Sequence, residues 1–295
     1  MKSTLVCVHV MPNEMDLFDR WMEQYKKALQ YLDNTDDVTL MATLNLSPSL
    51  TDWDNSELKQ SYFIERFSKA QSVKNINEVI SKSGYGTTAQ KRDAIKLNYN
   101  QFIFIDTDIA FPEQLLKYQL EASYQLNGKY IILPQLVKLW DNSWDLAVHN
   151  DFINKEYNYH LIHGVELTYN QEVNEVSLEQ LNVFKFGCGM HTLYSKEFWD
   201  LIGIPESFGG YGSEDTFAMY ASNYAVRAGI DIKQYLLKGA YISENMANRK
   251  PSFGDKVKSV ANKENSRELS YKQFPDELKK FLIKIENENI SNNNI

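Results

Sequence analysis

The sequence predicts an α/β fold with a mixed, mainly parallel sheet flanked by helices. The first half of the chain alternates short apolar runs with segments of helical periodicity, an order typical of parallel sheets. Four apolar residues at 102–105 are rich in Phe and Ile, as expected of a strand buried on both faces. The 295 residues are enough for one large domain with an ample core.

The elements of the first half follow from local pattern. Apolar residues at helical spacing predict an amphipathic helix at 16–32. Thr87 or Thr88 can cap the helix that leads into the buried run, and Pro112 fits the first turn of another helix because its missing N–H costs nothing there. The predicted strands lie at 5–10, 38–44 and 102–105, and the predicted helices at 16–32, 56–67, 75–83 and 89–98.

The second half alternates less regularly. Residues 140–169 are aromatic and irregular in pattern, so few elements are expected there. Lys, Glu and Asn dominate from about 262, and residues 288–295 are expected to be a disordered tail. The predicted strands lie at 130–136, at 190–194 and within 232–242, and the predicted helices at 195–201, 214–229 and 274–286.

Composition restricts the class of protein. A hydrophobic content of 43% and a charged content of 24% are ordinary for a soluble globular protein. The net charge of −8 gives no strong nucleic-acid signature, since such surfaces cluster positive charge. No apolar run approaches the length of a transmembrane segment, and Cys7 and Cys188 are expected to be free thiols. These features predict a cytoplasmic location, with peripheral contact to a membrane left open.

Two carboxylates follow the buried run. Asp106 and Asp108 are separated by one residue, and an unpaired charge is too costly to bury. Both are therefore expected at the carboxyl end of the strand, where open α/β sheets bind ligands. Such a pair suits a hard cation such as Mg²⁺ or Mn²⁺. An Asp-rich turn after a strand would explain the same residues without a ligand.

A second constellation, FGGYGSEDT, occupies residues 208–216. Its glycines allow the backbone to approach a ligand closely, and Tyr211 can offer a ring face to a sugar. Glu214 and Asp215 begin a helix, whose positive end is expected to keep Asp215 ionised and ready to act as a base. A helix cap after a Gly-rich turn is the alternative interpretation.

In this order, the two constellations resemble those of GT-A glycosyltransferases. Residues 88–108, TAQKRDAIKLNYNQFIFIDTD, are similar to the family 2 pattern of Ala-Arg-Asn, a helix and Asp-x-Asp. Residues 186–229 resemble the acceptor-side half of β-1,4-galactosyltransferases and chondroitin-polymerase-like enzymes, with YGSED at 211–215 where those enzymes carry Trp-Gly-Gly-Glu-Asp. The resemblance covers roughly residues 4–250. It implies a GT-A type, Rossmann-like fold.

The resemblance also implies an activity and a domain organisation. A nucleotide-sugar donor, with a UDP-sugar favoured, would react by inverting transfer to a hydroxyl of a glycan or glycoconjugate acceptor. A single catalytic domain would span residues 1–255, with a donor-side half at about 1–112 and an acceptor-side half at about 113–255. Residues 256–287 would form a C-terminal helical extension.

On the donor side, the resemblance assigns roles to four residues. Asp106 would contact the donor ribose or sugar and take part in metal binding. Asp108 would ligate Mn²⁺ or Mg²⁺ on the diphosphate, where the metal neutralises the leaving group. Arg92 and Lys91 would face the donor.

On the acceptor side, the resemblance again assigns four residues. Tyr211 would stack on a sugar, and Gly189 would line the acceptor site. Glu214 would hydrogen-bond acceptor hydroxyls as part of the catalytic pair, and Asp215 would be the general base.

The chain departs from the family at the metal site. Related enzymes supply a late His after the last strand, and this chain has none there. Glu244 stands closest to that place, with Asn245 beside it, and a carboxylate is an acceptable ligand for Mn²⁺ or Mg²⁺. His9 at the end of the first strand, and Asn45 or Asp52 after the second, are the candidates for nucleotide contacts.

Two other function classes stay open. A sugar-phosphate nucleotidyltransferase also combines a nucleotide-binding α/β sheet with acidic metal ligands, but it is expected to carry a Gly-rich phosphate loop after the first strand, and residues 7–14 contain no glycine. A catalytically degenerate glycan-binding protein of the same fold is favoured only by the missing late His.

Overall fold

The computed structural model describes residues 2–48, 51–69, 76–80, 86–143, 146–187, 189–245, 256, 258–259 and 262–292, and Cys188 lies outside them. The strands are β1 Thr4–Val10, β2 Val38–Leu44, β3 Thr51–Asp52, β4 Ile76–Ile80, β5 Gln101–Ile105, β6 Ile109–Ala110, β7 Lys129–Leu136, β8 Ser177–Gln180, β9 Met190–Ser195, β10 Ile232–Glu244 and β11 Lys258–Ser259. The helices are α1 Met15–Leu29, α2 Gln60–Lys69, α3 Thr87–Ala94, α4 Leu115–Tyr124, α5 Tyr157–Tyr169, α6 Lys196–Ile202, α7 Glu214–Arg227 and α8 Asn262–Asn292.

Within the described residues, nine strands form one mixed sheet. Eight of them follow the order β4-β2-β1-β5-β9-β7-β10-β6, and β8 pairs with β10 off this path. The ladders β2–β4, β1–β2, β1–β5 and β7–β10 are parallel, whereas β9 runs antiparallel between β5 and β7. The predicted mixed, mainly parallel sheet flanked by helices is confirmed.

The central strands are buried on both faces, as their apolar runs predict. Along β1, Val6 and Val8 belong to one core cluster, and Leu5 and Cys7 belong to the other. Helices α1, α2 and α4 cover the first cluster, and α6, α7 and α8 cover the second. Because side chains alternate along a strand, the same short run supplies both cores.

Three predicted elements differ from the structure. The predicted helix at 75–83 is wrong, because residues 76–80 form β4 and pair with β2 at the edge of the sheet. The segment at 140–169 contains α5, whose buried residues are His160, Gly164, Val165 and Thr168, so a single large apolar residue leaves only a weak apolar signal. The C-terminal helix runs to Asn292, so the tail predicted from 288 is helical as far as that residue.

No helix in the described part of the chain is both long and apolar enough to cross a membrane.

A β-bulge lies where β9 passes the end of β5. Thr192 pairs with Phe104 and Met190 pairs with Ile105, so His191 is the extra residue, with a left-handed φ of 53°. Its ring is 1% exposed and lies edge-on to Phe111, with centroids 4.8 Å apart. Burial lowers the pKa of His191 to about 3, so the imidazole is neutral in the folded protein.

We expect His191 to make the protein less stable in acid. The unfolded chain protonates His191 near pH 6.5 and the folded chain only near pH 3, so the free energy of unfolding falls by about 1.4 kcal/mol for each pH unit between these values. His191→Asn, which tolerates the left-handed backbone, should lack this slope. Urea unfolding of both proteins between about pH 7 and pH 5 measures the difference.

His163→Asn, a matched change on an exposed part of α5, serves as the control and should keep the slope of the unsubstituted protein. Asp106 and Asp215 titrate in the opposite sense in the same range, because their folded-state pKa values are raised. The change in the free energy of unfolding per pH unit is therefore compared between the two His→Asn variants, which share the contributions of Asp106 and Asp215. Identical slopes for the two His→Asn proteins would contradict a neutral, buried His191.

Candidate functional site

The parallel strands β1, β2 and β5 bring the predicted residues His9, Asn45 and Asp106 to one edge of the sheet. His9 pairs with Thr43 across β1 and β2, and its Nδ1 lies 2.7 Å from the Thr43 hydroxyl. The backbone of Asn45 donates to Val10, and its side chain accepts from the backbone N–H of Ser47. His9 and Asn45 are therefore buried beside the strand ends, where they shape the edge. Their contact with a nucleotide stays a prediction.

Asp106 lies where β5 ends, as predicted. Its backbone N–H donates to Gly189 over 2.8 Å, and a Cβ atom at Gly189 would lie 2.6 Å from the Asp106 carboxylate. Gly189 is thus the residue that leaves room for this carboxylate. Burial raises the pKa of Asp106 to about 7; Lys91 opposes the change, and the carboxylates of Asp108, Glu214 and Glu14 reinforce it.

Asp108 meets the end of β10. Its backbone carbonyl accepts from the N–H of Asn245 over 2.6 Å, and Glu244 pairs with Ile109 in the antiparallel β6–β10 ladder. The position that the resemblance assigned to a third metal ligand is therefore adjacent to Asp108. Sequence reasoning named Glu244 for this role, and the structure adds Asn245, which is 2% exposed.

The arrangement of oxygen donors fits a hard cation. Asp106 is pushed toward its neutral form partly by neighbouring carboxylates, and a cation would relieve that repulsion. The Asn245 Oδ1 is buried and has no hydrogen-bond partner among the described residues. No group of three or more His, Cys, Asp or Glu side chains in the described ranges is already placed to hold a metal. Asp106, Asp108 and Glu244 stay the predicted metal ligands, and Asn245 adds a buried oxygen next to Asp108.

The loop before α7 has an unusual backbone that α3 holds in place. Gly212 and Ser213 have φ values of 103° and 67°, so the chain turns through the left-handed region just before Glu214. The Thr88 backbone N–H donates to Gly210, and the Gly212 N–H donates to the Thr88 hydroxyl over 2.7 Å. Thr88 therefore fixes the loop from the first turn of α3.

A buried ion pair joins the two halves of the site. Lys91 Nζ lies 2.6 Å from Glu214 Oε1, and each side chain is only 7% exposed. Thr88 donates to the other oxygen of Glu214 over 2.7 Å. Burial works against the charge of Lys91, but the negative charges of Glu214, Asp106 and Asp215 outweigh it and raise its pKa. Burial likewise disfavours ionised Glu214, yet Lys91 and Thr88 lower its pKa.

Asp215 begins α7 beside Glu214. The helix start was expected to favour its charge, but burial, followed by the charge of Glu214, raises its pKa to about 6, with Lys91 opposing. This corrects the sequence-based reason: Asp215 ionises near neutral pH, in the range suited to a base. Asp215 lines a small cavity with Gly187, Lys185 and Gln234.

Three predicted residues make structural contacts. The Arg92 guanidinium donates to the backbone carbonyls of Pro205 and Gly209, so it supports the loop. Glu214 pairs with Lys91 and accepts a hydrogen bond from the Thr88 hydroxyl. The Tyr211 hydroxyl accepts from Arg267 over 3.1 Å, and that guanidinium lies 5.4 Å from the Tyr211 ring centroid. Donor contact by Arg92 and acceptor contact by Glu214 and Tyr211 stay predictions.

Sequence reasoning missed several residues of the site. Glu14 accepts from the Thr107 hydroxyl over 2.9 Å, and its place after the first strand was the available signal. Helix α8 packs on the Gly-rich loop, where Ser270 hydrogen-bonds Ser213 over 2.8 Å and Phe274 stacks on Phe208. The Lys/Glu-rich composition around α8 gave no sign of that contact.

Sequence comparison adds nothing to this picture, since no family model and no curated protein matches the chain. The fold, by contrast, is similar to that of solved structures. PcManGT, a mannosyltransferase from Pyrobaculum calidifontis solved with GDP-Man and Mn²⁺, has a TM-score of 0.50 at 10% identity, covering 86% of this chain and 59% of its own. The fold is GT-A. GalNAc-T7, solved with UDP, GalNAc and Mn²⁺, has a TM-score of 0.51 at 8% identity, covering 83% of this chain and 43% of its own.

The GT-A fold that the sequence motifs implied is thus confirmed. This chain spans about three-fifths and two-fifths of the length of those two structures. At such low identity, the match describes the arrangement of the backbone, and the chemistry must be argued from the site itself.

We expect loss of Lys91 to destabilise the protein strongly. Lys91→Met leaves Glu214 buried and unpaired, which should lower the free energy of unfolding by about 3–5 kcal/mol. The double variant Lys91→Met/Glu214→Gln removes the unpaired charge and should recover part of that loss. Unfolding in guanidinium chloride gives the free energy of unfolding of the unsubstituted protein, the single variant and the double variant.

Lys117→Met is the matched control, because Lys117 pairs with Glu121 on the surface of α4. This change should cost less than about 1 kcal/mol. If Lys91→Met and Lys117→Met lost similar stability, the buried pair would not have the role described here.

Proposed function

We propose that this protein is an inverting, metal-dependent glycosyltransferase that uses a nucleoside-diphosphate sugar, with a UDP-sugar favoured. The observation that carries the proposal is Lys91, which pairs with Glu214 and is also held charged by Asp106 and Asp215. The two constellations, more than a hundred residues apart in sequence, therefore belong to one electrostatic site. PcManGT and GalNAc-T7, whose structures contain nucleotide ligands and Mn²⁺, support this class of donor and cofactor.

The donor would bind at the edge formed by β1, β2 and β5. Asp106 and Asp108 would hold a divalent cation with the buried oxygen of Asn245, and Glu244 would complete the set. When bound, Mn²⁺ or Mg²⁺ would neutralise the charge of the departing diphosphate. Open parallel sheets bind ligands at this edge, which also holds His9 and Asn45.

Asp215 would act as the general base. Its raised pKa lets it accept a proton from an acceptor hydroxyl near neutral pH. Among the described residues that line the adjacent cavity, Asp215 is the one carboxylate. Glu214 is neutralised by Lys91 and is poorly suited to attack a sugar. A single base favours direct, in-line attack by the acceptor, and such a displacement inverts the anomeric centre.

The alternatives are less well supported. A nucleotidyltransferase would use a Gly-rich phosphate loop after β1, and the chain there reads His9-Val-Met-Pro-Asn-Glu14. A degenerate glycan-binding protein would have no need for a base with a pKa near neutrality, nor for paired carboxylates at the strand edge.

We expect Asp108→Asn to abolish metal-dependent donor binding, because it removes a charged ligand. A thermal-shift panel of UDP-, GDP-, CMP- and dTDP-sugars, with and without Mn²⁺, measures this. A ligand at about 100 times its Kd stabilises the folded protein by about 2.7 kcal/mol. Asp231→Asn, an exposed Asp next to β10, is the control and should keep the full shift. Donor binding that ignores Mn²⁺ in the unsubstituted protein would contradict the proposal.

Asp215→Asn should leave the donor shift intact and reduce transfer about 10²–10⁴-fold, since it removes the base without touching the donor edge. Release of the nucleoside diphosphate in the presence of acceptor provides the rate. Full transfer activity in this variant would remove Asp215 from the mechanism. A normal shift with no turnover in the unsubstituted protein, over a broad range of acceptors, would favour the degenerate glycan-binding protein.

A further inference from the structure

An aromatic groove of about 540 Å³ opens beside the cavity of Asp215. It lies between α7 and two loops, and it shares Phe184, Lys185 and Met219 with that cavity. Its volume is typical of a site for a small organic ligand, and its position next to the proposed base makes it the path along which an acceptor would enter.

The walls of the groove have the chemistry of a sugar site. Trp140, Tyr220 and Tyr224 are 37–46% exposed, so their rings are available for stacking. Asn142 adds an amide group that can bind hydroxyls, and Asn223, whose Nδ2 donates to the Met219 carbonyl over 3.0 Å, adds its Oδ1 as an acceptor. Stacking rings with a few polar groups between them bind sugar rings through their apolar faces and fix them through their hydroxyls.

Among the described residues, the lining of the groove carries positive charge, in contrast to the chain as a whole. The chain has a net charge of −8, yet the described residues that line the groove include Lys185 and Arg227 and no Asp or Glu. Arg227 lies near the Tyr224 ring at 6.0 Å. Lys185 lines both the groove and the Asp215 cavity. A ligand with negative groups spaced along it would meet one cation at each of these places.

The loop that carries Lys185 is fixed in place. The side chain of Gln234, which is 2% exposed, accepts from the Lys185 backbone N–H over 2.6 Å and donates to its carbonyl over 2.8 Å. Both backbone groups of Lys185 are thus held by one buried amide on β10. The loop backbone at Lys185 is therefore formed before a ligand binds, so less ordering of the loop is needed on binding.

We propose that this groove binds the acceptor as an anionic oligosaccharide, with its sugar rings on Trp140, Tyr220 and Tyr224 and its negative groups at Lys185 and Arg227. The acceptor role rests on the proposed transferase activity, whereas the binding itself does not. Carboxylate groups of uronic acids and phosphate groups on sugars share the required chemistry, since both pair with Lys and Arg.

Isothermal titration without donor or metal tests the proposal. Three probes of equal length are compared: a tetrasaccharide of alternating uronic acid and N-acetylhexosamine, a maltotetraose carrying one phosphate, and neutral maltotetraose. We expect at least one anionic probe to bind about tenfold or more tighter than the neutral one. That preference should fall at about 0.5 M salt, because Arg227 is exposed and Lys185 is only partly buried. The probe that binds distinguishes the carboxylate from the phosphate.

Lys185→Gln/Arg227→Gln should weaken binding of the anionic probe about tenfold or more and leave binding of maltotetraose unchanged. Lys117→Gln, on the opposite face of the sheet, is the matched control and should change neither. Melting temperatures establish that each variant is folded. Equal binding of anionic and neutral probes, binding that survives the double substitution, or no binding of any probe would overturn the proposal.

The thermal-shift panel of nucleotide-sugars, run on the same preparations, tests the transferase proposal separately from the groove proposal. A normal Mn²⁺-dependent donor shift together with no preference for anionic probes would overturn the groove proposal alone. Selective binding of an anionic probe without any donor shift would support the groove and count against the transferase.

Discussion

The ion pair between Lys91 and Glu214 is the interaction on which the rest of the site depends. It joins α3, which leads into the Asp106 strand, to α7, which begins with the proposed base. Both groups are buried, so neither can lose its partner cheaply. The same positive charge acts on Asp106 and Asp215 and limits how far burial can neutralise them. One lysine thus acts on carboxylates from both constellations.

The sheet supplies the frame for that interaction. Parallel strands place β1, β2 and β5 with their carboxyl ends together, and the antiparallel β9 then brings Gly189 back against Asp106. The bulge at His191 shifts the register at the point where Gly189 has to pass the carboxylate. The bulge in β9 therefore lies where the Asp106 carboxylate needs room. The long parallel ladders of the sheet keep this region in place.

Much of this was readable in the sequence, and the reasons for the remainder are physical. Buried strands such as 102–105 and the Gly-rich turn before Glu214 carry strong local signals, so the fold and the position of both acidic motifs could be predicted. The pairing of Lys91 with Glu214, the support of the loop by Arg92 and the raised pKa of Asp215 all depend on distant segments. Helix α5 was not predicted because His160, Gly164 and Thr168 make up most of its buried face, with Val165 as the one large apolar residue there.

Helix α8 has a consequence for the order in which the protein folds during its synthesis. The loop that presents Asp215 turns through left-handed positions at Gly212 and Ser213, and Ser270 and Arg267 close over it from more than fifty residues downstream. During synthesis, the loop at 211–215 and the last strand of the large sheet, which ends at Glu244, leave the ribosome before Arg267 and Ser270 do. Until α8 has formed, the loop lacks its hydrogen bonds with Arg267 and Ser270, so the setting of the proposed base is completed by residues made after the sheet.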